Sequence, residues 1–181
     1  MFRSDYDRWK NLPPVSPDDL RQALRQFASG VTIVTTQHDG IRYGITVSAF
    51  ASVTLEPPTV MVSINSESQL ADMIQESQAF AVHILAEDQT EISQRFSAAI
   101  DGDEKFGNLP VAEGVNGVPI LDHAMARFEC VLDRTIRVGT HVVMFGKVVG
   151  TDSNPDPAWP LLYYHREYHR LNRPEQSTQQ P

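Results

Sequence analysis

The sequence has little cysteine and little positive charge, and it lacks long apolar runs. A single cysteine, Cys130, among 181 residues excludes an internal disulfide. The 15 basic and 23 acidic residues give a net charge of −8, without the Lys/Arg stripe that a nucleic-acid-binding surface needs. No apolar run approaches the ~20 residues of a membrane span, and the N-terminus lacks the apolar core of a signal peptide. These absences predict a cytoplasmic protein that binds neither nucleic acid nor membrane.

Motifs of several enzyme classes are also missing. No glycine-rich phosphate motif of the dinucleotide-binding fold occurs, so a site for NAD(P)H would not be of the Rossmann type. The Gly-x-Ser-x-Gly motif of serine hydrolases is absent as well. His165 and His169 are four residues apart, but the order His-Arg-Glu-Tyr-His is not the zinc-protease motif and no further ligand cluster accompanies it. We therefore predict no metal site.

The apolar pattern that is present predicts one mainly β domain over residues 16–172, with an arm over 1–15 and a disordered tail over 173–181. A helix is expected to begin at Ser16-Pro17, to end before Gly30 and to pack by its apolar stripe of Leu20, Ala23, Leu24, Phe27 and Ala28. Further helices are predicted after a turn at 65–68 and over 88–96. Residues 97–119 have repeated Gly and Pro and indicate a lid or a solvated loop. Strands are predicted over 31–36, from 41 into the 44–55 stretch, and over 59–64, 80–85, 126–138, 141–149 and 161–164.

The most informative stretch, residues 44–58, alternates between two unlike faces. One face is apolar and is predicted to pack in the core: Ile45, Val47, Ala49, Ala51, Val53 and Leu55. The other has small hydroxyls around one aromatic ring and no charge: Thr46, Ser48, Phe50, Ser52 and Thr54. Small side chains let a flat ligand approach the backbone, and hydroxyls orient it; alternatively, this face lies under a loop or a neighbouring subunit. The stretch is too long for one regular strand, which predicts a bend near residues 49–52.

Several segments in a fixed order carry a resemblance to a known family. They are residues 27–36, 44–58 with the Pro57-Pro58 pair, 80–85, Gly139-Thr140-His141, and 160–164. In order and spacing they resemble the flavin reductase-like family of small NAD(P)H:flavin oxidoreductases, over roughly residues 18–171. The resemblance implies an antiparallel Greek-key split β-barrel of the FMN-binding type, which uses FMN or FAD with NADH or NADPH. It also implies a homodimer whose reduced flavin diffuses to a partner flavin-dependent monooxygenase.

The same resemblance suggests site residues. Flavin contacts fall on Thr46, Val47, Ser48, Ala49, Phe50 and Ser52, and its phosphate on Asn65, Ser66 and Ser68, for which plain helix capping is the alternative. Phe106, beside Lys105, and Tyr164, with Tyr168 as a weaker candidate, are expected near the flavin. His141 corresponds to the histidine that contacts the nicotinamide. Thr140 stands where the family typically has Asp, which removes a carboxylate that could orient the imidazole.

The chemistry expected from the resemblance needs few side chains. Hydride passes from nicotinamide C4 to flavin N5 when the rings stack, so the protein aligns the reactants and excludes water. Backbone N–H groups of residues 46–52 are expected to donate to the flavin ring. Two alternatives use the same barrel: a flavin carrier or store without reductase activity, and a haem or deazaflavin binder. A deazaflavin binder would favour a basic groove, and the sequence shows none.

Overall fold

The computed structural model describes residues 12–122, 124–154 and 159–172. Within them the chain forms three helices, α1 Pro17–Leu24, α2 Gln69–Ser77 and α3 Thr90–Ser97. The strands are β1 Ser29–Gly30, β2 Thr32–His38, β3 Ile41–Val47, β4 Phe50–Leu55, β5 Pro58–Asn65, β6 Ala79–Ile84, β7 Val111–Glu113, β8 Pro119–Leu121, β9 Ala126–Val138, β10 His141–Ser153, β11 Leu162–Tyr164 and β12 Glu167–His169. Most of the predicted arm, residues 1–11, and the predicted tail, 173–181, lie outside the described residues. None of the described helices is long and apolar enough to cross a membrane.

The main sheet has seven strands in the order β3-β2-β6-β9-β10-β5-β4, and all its neighbours are antiparallel. Its two edge strands, β3 and β4, are joined by only two residues, Ser48 and Ala49. In a flat sheet, six spacings of about 4.8 Å would hold these edges about 29 Å apart. The three Cα steps from Val47 to Phe50 span at most about 11 Å. The sheet must therefore curl until its edges meet at this link. The architecture is mainly β and antiparallel, as predicted.

The predicted bend of the 44–58 stretch falls at this link. Beyond it, the expected apolar core face is wrong, because Leu55 is 85% exposed and Val53 is also exposed. Both residues lie on β4, an edge strand of the sheet. The link is fixed by the Ser63 N–H, which donates to the Ala49 carbonyl at 3.0 Å.

The main core lies between the curled sheet and α2. As predicted, α2 turns Leu70, Met73 and Ile74 inward, and all three are buried. Gly146 on β10 faces Phe80 and Cys130 so closely that a Cβ there would lie 2.4 Å from Phe80 Cζ. Cys130 is buried, as expected, and burial raises the pKa of its thiol to about 12.

Residues 97–119 are not a purely solvated loop, because two side chains anchor the segment. Phe106 is fully buried and packs edge-on against Phe96 with ring centroids 5.2 Å apart. Lys105 is 3% exposed, and its ammonium donates to the Phe96 carbonyl at 3.2 Å. Burial lowers the pKa of Lys105. The predicted place of Phe106 beside the flavin is therefore wrong: its ring belongs to a second core cluster with Val31, Leu85 and Leu161.

Helix α1 begins as predicted, with Ser16 Oγ accepting the Asp19 N–H and Pro17 as first residue. Its expected packing is wrong for a single chain, since none of its residues is buried. Leu20 and Leu24 are exposed, and so is Phe27, at 73%, just beyond the helix end. The reason is its position: α1 reaches the hairpin of β11 and β12 through its C-terminal end, where the His165 N–H donates to the Arg25 carbonyl. Its apolar stripe is left on the surface.

Candidate functional site

Two of the segments predicted to bind flavin are adjacent in the structure. Ser48 and Ala49, in the link between β3 and β4, are both exposed. The hydrogen bond from Ser63 to Ala49 holds the link next to the C-terminal end of β5, which ends at Asn65. The flat, small-residue surface of the link therefore lies beside the 65–68 turn that leads into α2.

The 65–68 turn is held by hydrogen bonds to backbone groups, and its serine hydroxyls do not cap the helix. Asn65 Oδ1 accepts the Glu67 N–H at 3.0 Å. The Ser66 N–H and Oγ both donate to the Thr140 carbonyl, at 2.9 and 3.2 Å. Ser68 is the N-cap residue, but its side chain makes no capping hydrogen bond. The structure therefore does not support simple helix capping for either serine side chain, and the Ser68 hydroxyl stays available to a ligand.

His141 lies at the same end of the sheet. It opens β10, directly opposite Asn65 on β5, and it is exposed. The Thr140 hydroxyl reaches the His141 ring, with Oγ1 and Nδ1 3.1 Å apart. The Thr140 hydroxyl thus makes a side-chain contact to the imidazole although no carboxylate stands at this position. With threonine at position 140, a side-chain contact that can orient the imidazole is still present.

The other residues of the 46–52 segment differ in accessibility. The Thr46 hydroxyl donates to the Ser93 carbonyl of α3 at 2.6 Å, and Val47 is buried. Phe50 is half-buried with its ring 5.6 Å from that of Phe128. Ser52 is exposed on β4 opposite Val60. The exposed small side chains of this segment are thus Ser48 and Ala49 at the link and Ser52 on β4, whereas the Thr46 hydroxyl is already engaged with α3.

A cleft of about 640 Å³ opens beside the link, between α1 and the β11–β12 hairpin. Its size suits a small-molecule ligand. Tyr164, predicted from the sequence, lines it together with Ser48 and Ala49. The other lining residues are Arg21, Leu24, Arg25, Phe27, Ser29, Tyr163, His165 and Arg166.

The basic residues of this cleft were missed from the sequence. Three arginines gather here in a chain of net charge −8, which corrects the expectation that the chain has no basic groove. Arg21 and Arg25 are one helical turn apart, which is a visible signal on one face of α1. Arg166 is distant in sequence, so only the fold brings it to them. His165 and His169 lie in a hairpin and not on a helix.

One further histidine, His83, is structural. It is fully buried on β6, with Nδ1 3.2 Å from the Ile33 carbonyl and Nε2 accepting the Leu121 N–H at 3.1 Å. Burial lowers the pKa of His83 to about 4. Its neutral form ties β6 to β2 and β8, and it lies outside the cleft lining.

Comparison with known proteins shows which family the chain belongs to. The sequence model of the Flavin reductase like domain matches residues 24–172. The chain belongs to the flavin reductase-like family. The FMN reductase (NADH) RutF of Klebsiella pneumoniae, for example, is 34% identical over 155 residues, which are 86% of this chain and 94% of that protein.

Solved structures agree with this family assignment. The nitrilotriacetate monooxygenase component B homolog from Mycobacterium thermoresistibile has 35% sequence identity and a TM-score of 0.81, covering 88% of this chain and 90% of that one. The styrene monooxygenase flavin reductase (SMOB) from Pseudomonas putida S12 has 32% identity and a TM-score of 0.77, covering 85% and 97%. The family membership confirms the prediction of an NAD(P)H-dependent flavin reductase.

Proposed function

We propose that this protein reduces FMN or FAD with NADH or NADPH at the link between β3 and β4. The observation that supports this most strongly is the convergence of three features: the exposed Ser48-Ala49 link, the 65–68 turn and His141. NADH with FMN is the pair to test first, because relatives such as the RutF protein of Klebsiella pneumoniae are FMN reductases (NADH).

The residues present fit a flat ligand that carries phosphate. Ser48 and Ala49 are small and exposed, so a planar ring can approach the backbone there. The uncapped first turn of α2 and the Ser68 hydroxyl offer donors to an anion. When bound, the flavin supplies the hydride-accepting chemistry. The chain contributes alignment and the exclusion of water, which accounts for the absence of a conspicuous acid or nucleophile at the link.

His141 is proposed to position the nicotinamide. The contact with Thr140 involves Nδ1, and no hydrogen bond to His141 Nε2 is found within the described residues. A ring held on one side presents its other nitrogen to a ligand with little loss of conformational freedom. We propose a positioning role for His141, because no neighbouring carboxylate pairs with its ring among the described ion pairs.

We further propose a cytoplasmic homodimer that supplies reduced flavin to a separate monooxygenase. Exposed apolar residues on β4 and on the far end of β9 support the dimer: Val53, Leu55, Ile136 and Val138. Contact with a second copy of the chain would remove these apolar side chains from water. The monooxygenase partner is suggested by the relatives from Mycobacterium thermoresistibile and Pseudomonas putida, which are named for monooxygenase systems.

The test is anaerobic oxidation of NADH and of NADPH, each with FMN, with FAD and without flavin. Turnover that requires flavin supports the proposal, and the fastest pair identifies the preferred nucleotides. Quenching of flavin fluorescence without turnover would instead favour the flavin carrier or store. If the protein neither oxidises NADH or NADPH in the presence of flavin nor quenches flavin fluorescence, the proposed function is wrong. Light scattering of the same sample gives the molar mass, and a monomer would contradict the proposed dimer.

A further inference from the structure

The turn between β11 and β12 has an unusual backbone for its residues. Two residues, His165 and Arg166, connect these strands with φ angles of 51° and 71°. A two-residue hairpin with positive φ at both positions favours Asn-Gly or Gly-Gly, because a Cβ disfavours this conformation. The other described non-glycine residues with positive φ, Asp39 and Gln78, are not adjacent to each other. Strain of this kind persists only where the surrounding structure holds the residue in place, and it clusters at ligand-binding and active sites.

Both turn residues line the 640 Å³ cleft, and hydrogen bonds hold the turn against α1. The His165 N–H donates to the Arg25 carbonyl at 3.3 Å. The Tyr164 hydroxyl donates to Gln26 Oε1 at 3.2 Å, and the Gln26 amide group donates to His165 Nε2 at 2.9 Å. Because of these contacts, the arginines of α1 and Arg166 face one cleft from two connected walls.

The charge of the cleft is only partly compensated. Arg21 is paired with Asp18 on its own helix. Arg25 and Arg166 form no ion pair with a carboxylate among the described residues. Guanidinium groups that converge on one concave surface attract anions and bind phosphate through two parallel hydrogen bonds. In a chain of net charge −8, this is a local concentration of positive charge.

We propose that Arg25 and Arg166 bind a phosphate group of a nucleotide in this cleft, separately from the 65–68 turn. The inference rests on the proposed function, which supplies two sources of that phosphate: the flavin nucleotide and the nicotinamide dinucleotide. Phe27 and Tyr163 add exposed aromatic faces to the same cleft, which suit the ring of a nucleotide. Arg166 accounts for the strained turn, because a glycine in its place would have no guanidinium group.

The decisive variant is Arg166→Gly, because it relieves the backbone strain and removes the guanidinium together. A purely structural turn residue would give a variant with an equal or higher Tm and unchanged ligand binding. A phosphate-binding residue gives an equal or higher Tm with phosphate affinity lowered about tenfold or more, the usual effect of losing a charged hydrogen bond. Gln78→Gly is the matched control, since it relieves a positive φ of 59° outside the cleft lining. Arg25→Gln removes the second charge without changing the turn.

Three titrations separate the two sources of phosphate. Lower affinity for FMN with unchanged affinity for riboflavin, which has no phosphate, assigns the arginines to the flavin nucleotide and places its single phosphate here instead of at the 65–68 turn. Unchanged FMN affinity with weaker binding of NAD⁺ by calorimetry assigns them to the dinucleotide. If Arg166→Gly and Arg25→Gln both bind FMN and NAD⁺ as the wild type does, the inference is wrong. These are binding measurements, so they stand apart from the turnover assay on which the proposed function depends.

Discussion

Acid should destabilise this protein through one buried histidine, His83. Its folded-state pKa is about 4, because burial in the core penalises the charged ring. In the unfolded chain the pKa returns to about 6.5. The unfolded state therefore binds the additional proton between these two values, so the free energy of unfolding falls as the pH is lowered through this window.

The magnitude follows from the two pKa values. Linkage gives a loss of about 2 kcal/mol between neutral pH and pH ~5, and about 3 kcal/mol by pH ~4. The charged form also loses a hydrogen bond, since protonated Nε2 no longer accepts the Leu121 N–H. For a domain whose total stability is about 5–15 kcal/mol, this loss is large enough to measure.

The assay is urea unfolding at several pH values between neutral and about 4.5, followed by circular dichroism, for the wild type and His83→Gln. Glutamine offers an amide donor and acceptor but does not titrate. The variant is expected to be less stable at neutral pH and to lose less stability on acidification. The difference between the two slopes isolates His83 from the surface carboxylates. Parallel slopes from neutral pH to about 5 would show that protonation of His83 does not cause the loss of stability.

Three further changes test the site and the core. His141→Ala should slow flavin reduction about ten- to a thousandfold while flavin affinity changes little, as for the loss of one positioning group, and stopped-flow rates equal to the wild type would exclude that role. Ser48→Tyr should block flavin binding in a fluorescence titration, whereas Gln94→Tyr, on the exposed face of α3, should not; retained binding would move the site away from the link. Gly146→Ala should cost about 1–3 kcal/mol in urea unfolding, because its Cβ would meet Phe80 Cζ at 2.4 Å, and unchanged stability would mean that the ring moves freely.

Local patterns predicted the regular elements well. The alternation over residues 126–138 gave the bounds of β9, and Asp39-Gly40 forms the turn between β2 and β3 with both φ angles positive. Ser16 caps α1. These features depend on side-chain period, turn chemistry and capping, all of which act over a few neighbouring residues.

What the sequence did not reveal depends on contacts between distant residues. The apolar stripe of α1 predicted a buried face, but periodicity does not say what covers a helix. Phe106 lies in a segment without periodicity, so its burial against Phe96 leaves no local signal. Arg166 lines the same cleft as Arg25 because β11 pairs with β1, which follows α1. The link, the 65–68 turn and His141 were proposed from the family resemblance, whereas the basic cleft was visible only in the fold.

Hydride transfer from a reduced nicotinamide to flavin bound on this chain is the step on which the proposed function depends. Its most direct measurement is anaerobic single-turnover bleaching of FMN absorbance after mixing with NADH, repeated with NADH deuterated at nicotinamide C4. We expect bleaching in the presence of the protein, with a rate that deuterium lowers if hydride transfer is the limiting step. FMN that binds to the protein but stays oxidised with both NADH and NADPH would contradict it.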